Sequence, residues 1–430
     1  MISPQHVLSF KSQALCIEKV PVAQLVKRYG SPLYVYSKKA LTDSYQALNQ
    51  AFAGQNVQIC YAVKANSNLS LLREFRKLGA GCDLVSYGEW FRAEKAKIPE
   101  RLRVLSGVAK TKDEFEKLLQ RPGAGVGSVH IESVMELELL AALAKSHKNK
   151  VSVALRFNPD VDAKTLDKIS TGRKKDKFGL TEEEILTVAQ RFSKNPWINF
   201  AGLSIHIGSQ ITKLSPYEKA FKLLKSLCSK VEMVLGRPLE YVDLGGGIGI
   251  QYQHEVPIDL IKYAALVKKY FSNYSKVLIE PGRSLIANAG FLVSTVVCSK
   301  VRGEHGTLIL DAGMNDLMRP ALYGAFHQIW TGKKPRQLTV ARPWDVVGGI
   351  CESTDLFARA RPLSVAGKAG EIVVFLSAGA YGFSMSNSYN TRPRVAEVLV
   401  DGKESVLIRK RETLDDLMEH ELTSNFLKSR

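Results

Sequence analysis

A chain of 430 residues with 45% hydrophobic content can bury a large core, and its length predicts two or three domains. No apolar run reaches the roughly 18 residues that a membrane helix needs, and the amino-terminal segment lacks the pattern of a signal peptide, so we expect a cytoplasmic protein with no membrane partner. The net charge of +18 raises the question of a nucleic-acid partner, but the basic residues are spread along the whole chain, so we expect none.

The first predicted element is the apolar run LYVY at residues 33–36, and a longer pattern follows it. Between about residues 57 and 280, short β-branched runs alternate with segments of helical period, which is typical of βα units. Eight parallel strands with intervening helices close into a (β/α)8 barrel, which we place at residues 37–288. The eight runs cover residues 57–64, 82–86, 102–106, 126–132, 151–157, 200–207, 239–247 and 276–282.

The pattern changes after about residue 288, because turns now separate the apolar runs and little helical period lies between them. This favours a mainly antiparallel β domain, of the β-sandwich or β-barrel-like kind, formed by residues 289–430 together with 1–36. The LYVY run can add a strand to it. The later runs cover residues 291–297, 307–311, 371–376, 396–400 and 405–409.

Polar residues follow most of the barrel runs at their carboxyl ends, which is the face that carries the active site in a (β/α)8 barrel. Any one such residue could simply begin a polar loop. Several at the same end of the barrel predict a functional site there. They are Lys64, Asp83, Glu132, Asn158, His206, glycines 245–247 and Glu280.

Lys64 ends the first barrel run, where a buried strand opens into the predicted pocket. A lysine is usually a surface charge, but desolvation on an interior strand lowers the pKa of an amine and suits it to attack a carbonyl. Schiff-base chemistry with an aldehyde cofactor is therefore plausible.

Pyridoxal phosphate is the cofactor that this lysine suggests, and it needs a phosphate cradle, a group at its pyridine nitrogen and a surface against its ring. The glycines at 245–247 offer backbone amides for a phosphate, although a plain tight turn is the alternative. Glu280 offers a carboxylate that keeps the pyridine nitrogen protonated, unless it is only the ion-pair partner of Arg283. His206 offers a flat ring, unless its role is structural.

Taken in order, YAVKAN at 61–66, HIGSQ at 206–210, DLGGGIGI at 243–250 and EPGRS at 280–284 resemble the fold-type III pyridoxal-phosphate decarboxylases, which share a barrel with alanine racemase. Three later motifs resemble the diaminopimelate decarboxylase family specifically. They are DAGMNDLMRPALY at 311–323, GICESTD at 349–355 and GAYGFSM at 379–385. The resemblance spans about residues 30 to 420.

The resemblance implies a role for each matching residue. Lys64 would hold pyridoxal phosphate as a Schiff base, and Cys351, supplied by the partner subunit of a homodimer with a shared active site, would be a candidate acid. The implied cofactor-binding residues are Lys64, Asp83, His206, Ser209, Gly246, Gly247, Glu280, Gly282, Arg283 and Tyr381. The implied substrate-binding residues are Arg283, Arg319, Tyr323, Glu352 and Tyr381.

The implied reaction is the decarboxylation of meso-2,6-diaminopimelate to L-lysine and carbon dioxide, the last step of lysine biosynthesis. Two arginines and Glu352 suit a distal centre that carries both charges. Decarboxylases of lysine, ornithine or carboxynorspermidine are the main rivals, and a racemase or a non-catalytic cofactor carrier are others. No metal ion or disulfide framework is expected, because the six cysteines lack C-x-x-C spacing.

Overall fold

The computed structural model describes residues 3–163, 171–173, 176–333 and 342–422. The chain divides into two compact units. One contains residues 40–288, and the other contains residues 4–39 and 289–430. Parts of both predicted domains, at residues 1–2, 164–170, 174–175, 334–341 and 423–430, lie outside the described residues.

The first unit is a closed barrel of eight parallel strands, which confirms the predicted fold class. Each strand pairs with the next one along the chain, and the last strand pairs with the first, Val277 lying beside Val57. All eight lie where the sequence predicts them. The strands are Val57–Ala62, Gly81–Leu84, Arg103–Leu105, Ser128–Ile131, Val151–Phe157, Ile198–Ile205, Tyr241–Asp243 and Val277–Ile279.

Helices connect these strands, and most begin at a side chain that caps the first turn. Thr111 and Thr181 form capping boxes with Glu114 and Glu184, so free backbone N–H groups at both helix starts have partners. Such caps favour each helix starting directly after its loop. The helices of this unit include Leu69–Lys77, Tyr87–Lys95, Lys112–Leu119, Val134–Ser146, Glu182–Phe192, Ser215–Leu235, Leu260–Phe271 and Arg283–Ile286, and Lys38–Ala51 precedes the first strand.

Buried side chains from six of the strands fill the barrel interior. This cluster combines small residues with one large ring, and consists of Cys60, Val104, Ala154, Ala201, Tyr241 and Leu278. The barrel is therefore a packed core rather than a pore. The polar residues Asp83, His130 and Asp243 come later in their strands, toward the carboxyl ends where chemistry can occur.

The second unit is a mainly antiparallel sheet, again as predicted. Its central strand Gly290–Arg302 pairs antiparallel with three neighbours, and the LYVY run lies in the strand Leu33–Ser37, which joins this sheet. The remaining strands of the sheet are His305–Leu310, Ile329–Thr331, Arg342–Val347, Leu356–Leu363, Ile372–Phe375, Ala396–Asp401 and Glu404–Arg409.

Shorter elements complete this second unit. A separate three-stranded sheet consists of Leu8–Lys11, Ala14–Ile17 and Val20–Pro21. Helices are found at Val22–Tyr29, Arg319–Tyr323 and Leu414–Met418. Among the helices that the structure describes in either unit, none has both the length and the apolar composition that crossing a bilayer requires.

Candidate active site

Lys64 lies just beyond the first barrel strand, in the short 3-10 turn Val63–Ala65. Its Nζ atom is 3.0 Å from Oδ2 of Asp83, a fully buried carboxylate on the next strand. Burial alone would raise the pKa of Asp83, but the charge and hydrogen bond of Lys64 outweigh burial and hold that pKa below its ordinary value. The lysine is therefore held in place by a buried anion.

Glu280 follows the last barrel strand and lies in a buried acidic cluster with Asp243 and His130. One carboxyl oxygen of Glu280, one of Asp243 and one ring nitrogen of His130 lie within 4.8 Å of one another. Burial, followed by repulsion between neighbouring carboxylates, raises the pKa of Glu280 well above its ordinary value, and burial raises the pKa of Asp243 to about 7. The pair therefore holds a proton near neutral pH, with the buried ring of His130 beside it.

His206 is held by its backbone and by its ring. Its Nδ1 atom accepts a hydrogen bond from the Gly246 N–H at 3.1 Å, and its carbonyl accepts one from the Thr171 hydroxyl at 2.9 Å. Burial and the nearby Lys64 and Arg156 lower the pKa of the imidazole well below its ordinary value. A neutral ring whose Nδ1 is an acceptor carries its proton on Nε2.

The glycines at 245–247 are required by close packing of three loops. A Cβ atom on Gly245 would collide with the carbonyl oxygen of Ile205, one on Gly246 with that of Glu280, and one on Gly247 with that of Gly208. The glycine run therefore brings the loops after three adjacent barrel strands together. This packing explains the glycines without a phosphate.

Arg283 joins two more of the predicted residues at this end of the barrel. Its guanidinium donates to the hydroxyl of Ser209 at 3.1 Å and to that of Tyr252 at 2.8 Å. Gly282 precedes it, and a Cβ there would approach those of Ala65 and Ala62 at 3.0 and 3.1 Å. The sequence-based alternative of an ion pair between Glu280 and Arg283 does not appear among the ion pairs of the described residues.

The other predicted residues lie in the second unit. Arg319 is buried at the start of the helix Arg319–Tyr323, and Tyr323 ends that helix. Cys351 is exposed, and its N–H donates to the side chain of Asn390 at 2.8 Å. The adjacent Glu352 accepts a hydrogen bond from Thr354.

Tyr381 has a strained backbone, with φ at 56°, a left-handed value that a large side chain rarely adopts. Such strain is often found at functional sites, because the surrounding structure must maintain it. The surrounding fold therefore holds the backbone of Tyr381 within the GAYGFSM motif.

Three polar side chains of the barrel strands were not predicted from the sequence, and they are His130, Tyr241 and Arg156. His130 lies inside a strand, and the hydroxyl of Tyr241, in the barrel interior, donates to the hydroxyl of Ser128. Arg156 binds Glu132 at 2.6 Å and also contacts the carbonyl oxygen of His206 at 3.5 Å. A polar residue in phase with the inward-facing positions of a barrel strand is the signal that identifies such side chains.

Comparisons with known proteins identify the family. The family model for the pyridoxal-binding domain of pyridoxal-dependent decarboxylases matches residues 38–287. A diaminopimelate decarboxylase of Zymomonas mobilis is 42% identical over 420 residues, covering 96% of this chain and 98% of that protein. The chain belongs to the diaminopimelate decarboxylase family.

Solved structures of this family support the membership. That of diaminopimelate decarboxylase from M. jannaschii in complex with L-lysine has a TM-score of 0.91 and 34% identity, covering 99% of this chain and 100% of that chain. The one from Helicobacter pylori, also with L-lysine, has a TM-score of 0.87 and 37% identity, covering 93% and 99%. Family membership confirms the predicted enzyme class, a carboxy-lyase, and the predicted cofactor, pyridoxal phosphate.

The barrel residues fit this cofactor. Among the described residues, no N–H or hydroxyl group donates to the buried Oε1 of Glu280 or Oδ2 of Asp243, and the one hydrogen bond between the two carboxyl groups leaves further acceptor capacity in the pair. A buried acceptor of this kind is costly unless a ligand satisfies it. The protonated nitrogen of a pyridine ring is a donor of the required kind, and Lys64 and His206 at the same end of the barrel have an amine and a flat ring, which are two of the other group types that the cofactor needs.

The buried acid pair predicts how the stability of the cofactor-free protein depends on pH. The pKa of Asp243 is raised from 3.8 to about 7, so the folded state holds this proton more tightly than the unfolded chain does. The contribution of Asp243 to the free energy of unfolding is therefore fully present below about pH 4 and is lost as the pH rises through 7. His130, whose pKa is lowered to about 3, opposes this trend.

The variant Asp243→Asn tests the acid pair, because it keeps an oxygen to accept from the Gly245 N–H but cannot ionise, and it also removes a charge that raises the pKa of Glu280. We compare the melting temperature of the variant with that of the unmodified protein at each pH. The difference, variant minus unmodified, should be several degrees more positive at pH 8 than at pH 5. Scanning fluorimetry of both apoproteins gives the measurement. The same difference at both pH values would show that Asp243 does not carry a raised pKa.

Proposed function

We propose that the chain decarboxylates meso-2,6-diaminopimelate to L-lysine and carbon dioxide, the last step of lysine biosynthesis. The observation that carries the proposal is the identity of 42% over nearly the whole length of a diaminopimelate decarboxylase. Two structures of such enzymes contain L-lysine, which is the product that this reaction would release. The Lys64–Asp83 pair at the end of the barrel strands supports covalent chemistry there.

The cofactor would be held by residues from both the strand ends and the loops of the barrel. We propose that Lys64 holds it covalently, that Glu280 contacts its ring nitrogen and that His206 lies against its ring. Asp83 would keep Lys64 oriented during the exchange with a substrate amine. The remaining proposed cofactor-binding residues are Ser209, Gly246, Gly247, Gly282, Arg283 and Tyr381.

Gly246 would serve the cofactor by letting its loop pack closely against its neighbours, and not by donating its N–H to the phosphate. That N–H already donates to His206, so other groups are better placed to donate to a phosphate. The hydroxyl of Ser209, which accepts a hydrogen bond from the guanidinium of Arg283, is one such donor. The role of Gly246 is then to bring His206 and Glu280 close together.

Pyridoxal phosphate, when bound, supplies an electron sink for the pair of electrons that remains after carbon dioxide leaves. The chain has three tasks around that step. Lys64 would hold the cofactor, give way to the substrate amine and return to release the product. Glu280 would favour a proton on the ring nitrogen, and Cys351 or Lys64 would return a proton to the carbon that lost its carboxylate.

We propose that the substrate's distal centre is recognised by the residues that the family resemblance implies for it. Arg319, Arg283 and Tyr323 would bind its carboxylate, and Glu352 would bind its ammonium group, with Tyr381 nearby. Lysine and ornithine as substrates would leave the arginines without an anion, and unpaired buried charges disfavour binding. The buried position of Arg319 supports this preference.

The test is a comparison of candidate substrates on the enzyme loaded with pyridoxal phosphate. We expect carbon dioxide and L-lysine in equal amounts from meso-diaminopimelate, and little carbon dioxide from ornithine, lysine or carboxynorspermidine. A preference for ornithine would overturn the proposal. Release of no carbon dioxide from any of them, despite bound cofactor, would favour a non-catalytic carrier, and inversion without carbon dioxide would favour a racemase.

We also propose a homodimer whose partner subunit supplies Cys351. The exposure of Cys351 supports the idea, because a residue needed at another subunit's site must reach the surface. Cys351→Ala should lower kcat by about 100-fold, since a positioned acid typically contributes that much or more. Cys298→Ala changes another exposed cysteine and should leave turnover intact.

Mixed dimers test whether the site is shared. Lys64→Arg and Cys351→Ala enzymes should each be inactive, but mixed dimers would contain one intact site. Random exchange of subunits should then restore about a quarter of the normal activity. Mixtures that stay inactive after exchange has been verified would contradict the shared site.

The remaining partner and location predictions stay proposals. We propose a cytoplasmic enzyme without a nucleic-acid partner, supported by thiols that are free in the described residues, as a reducing compartment permits. We also propose that no metal ion is needed. Although His130, Asp243 and Glu280 have donor atoms that metals use, the proposed reaction requires the Glu280 carboxylate for the cofactor.

A further inference from the structure

The second unit contains a buried contact between an arginine and a histidine. Nη1 of Arg319 lies 2.8 Å from Nε2 of His327, and Nδ1 of His327 lies 2.8 Å from the carbonyl oxygen of Leu376. Arg319 and His327 are both buried, with 6% and 2% of their surface exposed. His327 belongs to none of the motifs that carry the family resemblance.

The chemistry of these partners fixes the state of the imidazole. A carbonyl oxygen can only accept, so Nδ1 must carry a proton and donate it. A guanidinium can only donate, so Nε2 must present its lone pair to Arg319. The ring of His327 is therefore neutral, in the tautomer protonated at Nδ1, while it makes both contacts.

The imidazole is attached to a rigid part of the sheet. The N–H of Leu376 donates to the carbonyl of Gln328 at 2.9 Å, and the carbonyl of His327 accepts from Arg361 at 3.2 Å. The adjoining strands Ile329–Thr331 and Ile372–Phe375 pair antiparallel. The backbone on both sides of the ring is thus fixed, which fixes the direction in which the ring points.

We propose that His327 is a positioning residue that orients the guanidinium of Arg319 toward the distal carboxylate of the substrate. This inference rests on the proposed function. A neutral acceptor has a specific advantage here, because it holds the arginine without adding negative charge. In the barrel, by contrast, Arg156 is bound by the carboxylate of Glu132 at 2.6 Å, which offsets its charge.

Binding of two ligands shows whether a change at His327 weakens recognition of the distal carboxylate or disturbs the whole site. L-lysine keeps the distal carboxylate of the substrate, and cadaverine is the same diamine without it. Binding of both is measured by calorimetry on the enzyme loaded with pyridoxal phosphate. If the unmodified enzyme neither forms L-lysine nor binds it, the proposed function fails, and that failure is separate from the one tested below.

Two substitutions divide the roles of the imidazole. His327→Asn can still donate to Leu376 but does not reach Arg319, and we expect about tenfold weaker binding of L-lysine, the loss of one hydrogen bond to a charged group. The KM for diaminopimelate should rise by the same factor, with kcat and cadaverine binding almost unchanged. His327→Gln extends an acceptor toward Arg319 and should restore binding to within about threefold of normal.

Further variants make the outcome decisive. In an Arg319→Lys background, His327→Asn should cause little additional loss, since the two residues act on one contact. His305→Asn alters an exposed histidine of the same unit and should bind L-lysine normally. If His327→Asn does not fold, His327→Leu also removes the acceptor and takes its place. Unchanged binding of L-lysine, or an equal loss for cadaverine, would overturn the inference.

Discussion

Replacement of Lys64 by arginine should lower decarboxylation by at least about 1,000-fold, because the nucleophile that holds the cofactor is lost. Arginine is the informative choice, since it keeps a cation beside Asp83. The ion pair at 3.0 Å is buried on the Asp83 side, and removing its cation altogether would leave a buried charge without a partner. Loss of turnover in a folded protein can then be assigned to chemistry.

The Lys64 experiment has two readouts, carbon dioxide release and covalent labelling. Borohydride reduction of the loaded enzyme followed by peptide mapping should place the label on Lys64, and the Lys64→Arg enzyme should carry none. Lys262→Ala, a change on an exposed helix position, serves as the control and should behave normally. A label on any other lysine would show that the cofactor is attached elsewhere.

Replacement of Glu280 by glutamine should lower kcat by about 100-fold or more, the usual contribution of a group that controls a proton. The amide cannot hold a proton at the ring nitrogen through a negative charge. The loss should be large because Glu280 is buried, so water does not take over the role of the missing carboxylate. The KM for diaminopimelate should change much less than kcat, since the distal centre is bound by other residues.

A second readout for Glu280→Gln is the absorption spectrum of the bound cofactor. Its dependence on pH should shift in the variant, because the ring nitrogen loses the carboxylate that favours its protonated form. Glu240→Gln makes the same chemical change at an exposed site before the strand Tyr241–Asp243 and should change neither spectrum nor turnover. Normal turnover in Glu280→Gln would refute its proposed role.

The sequence predicted the barrel well because its strands are buried on both faces, which makes them continuous apolar runs. The second unit was harder to predict. The strand Arg342–Val347 contains a proline and an aspartate, and Leu356–Leu363 carries three arginine or proline positions with partial exposure. Strands that are only half buried resemble loops in sequence, so these two were missed.

For the candidate site, the sequence predicted where several residues lie but not which side chains they contact. Lys64, Asp83, His206 and Glu280 were predicted to lie at one end of the barrel, and the structure places them there. The contacts of His130 and His327 could not be predicted, because the neighbouring sequence does not distinguish a buried histidine with a functional role from one with a purely structural role. Their partners come from distant parts of the chain, such as Leu376, 49 positions after His327.

The glycine run has a consequence for anyone who redesigns this enzyme. Because a methyl group at 245, 246 or 247 would push against the carbonyl oxygens of Ile205, Glu280 or Gly208, an added side chain there would move several functional loops at once. Libraries aimed at new substrates should hold these three positions constant. Diversity is better placed around Arg319 and Glu352, which are not among the residues that these three glycines pack against.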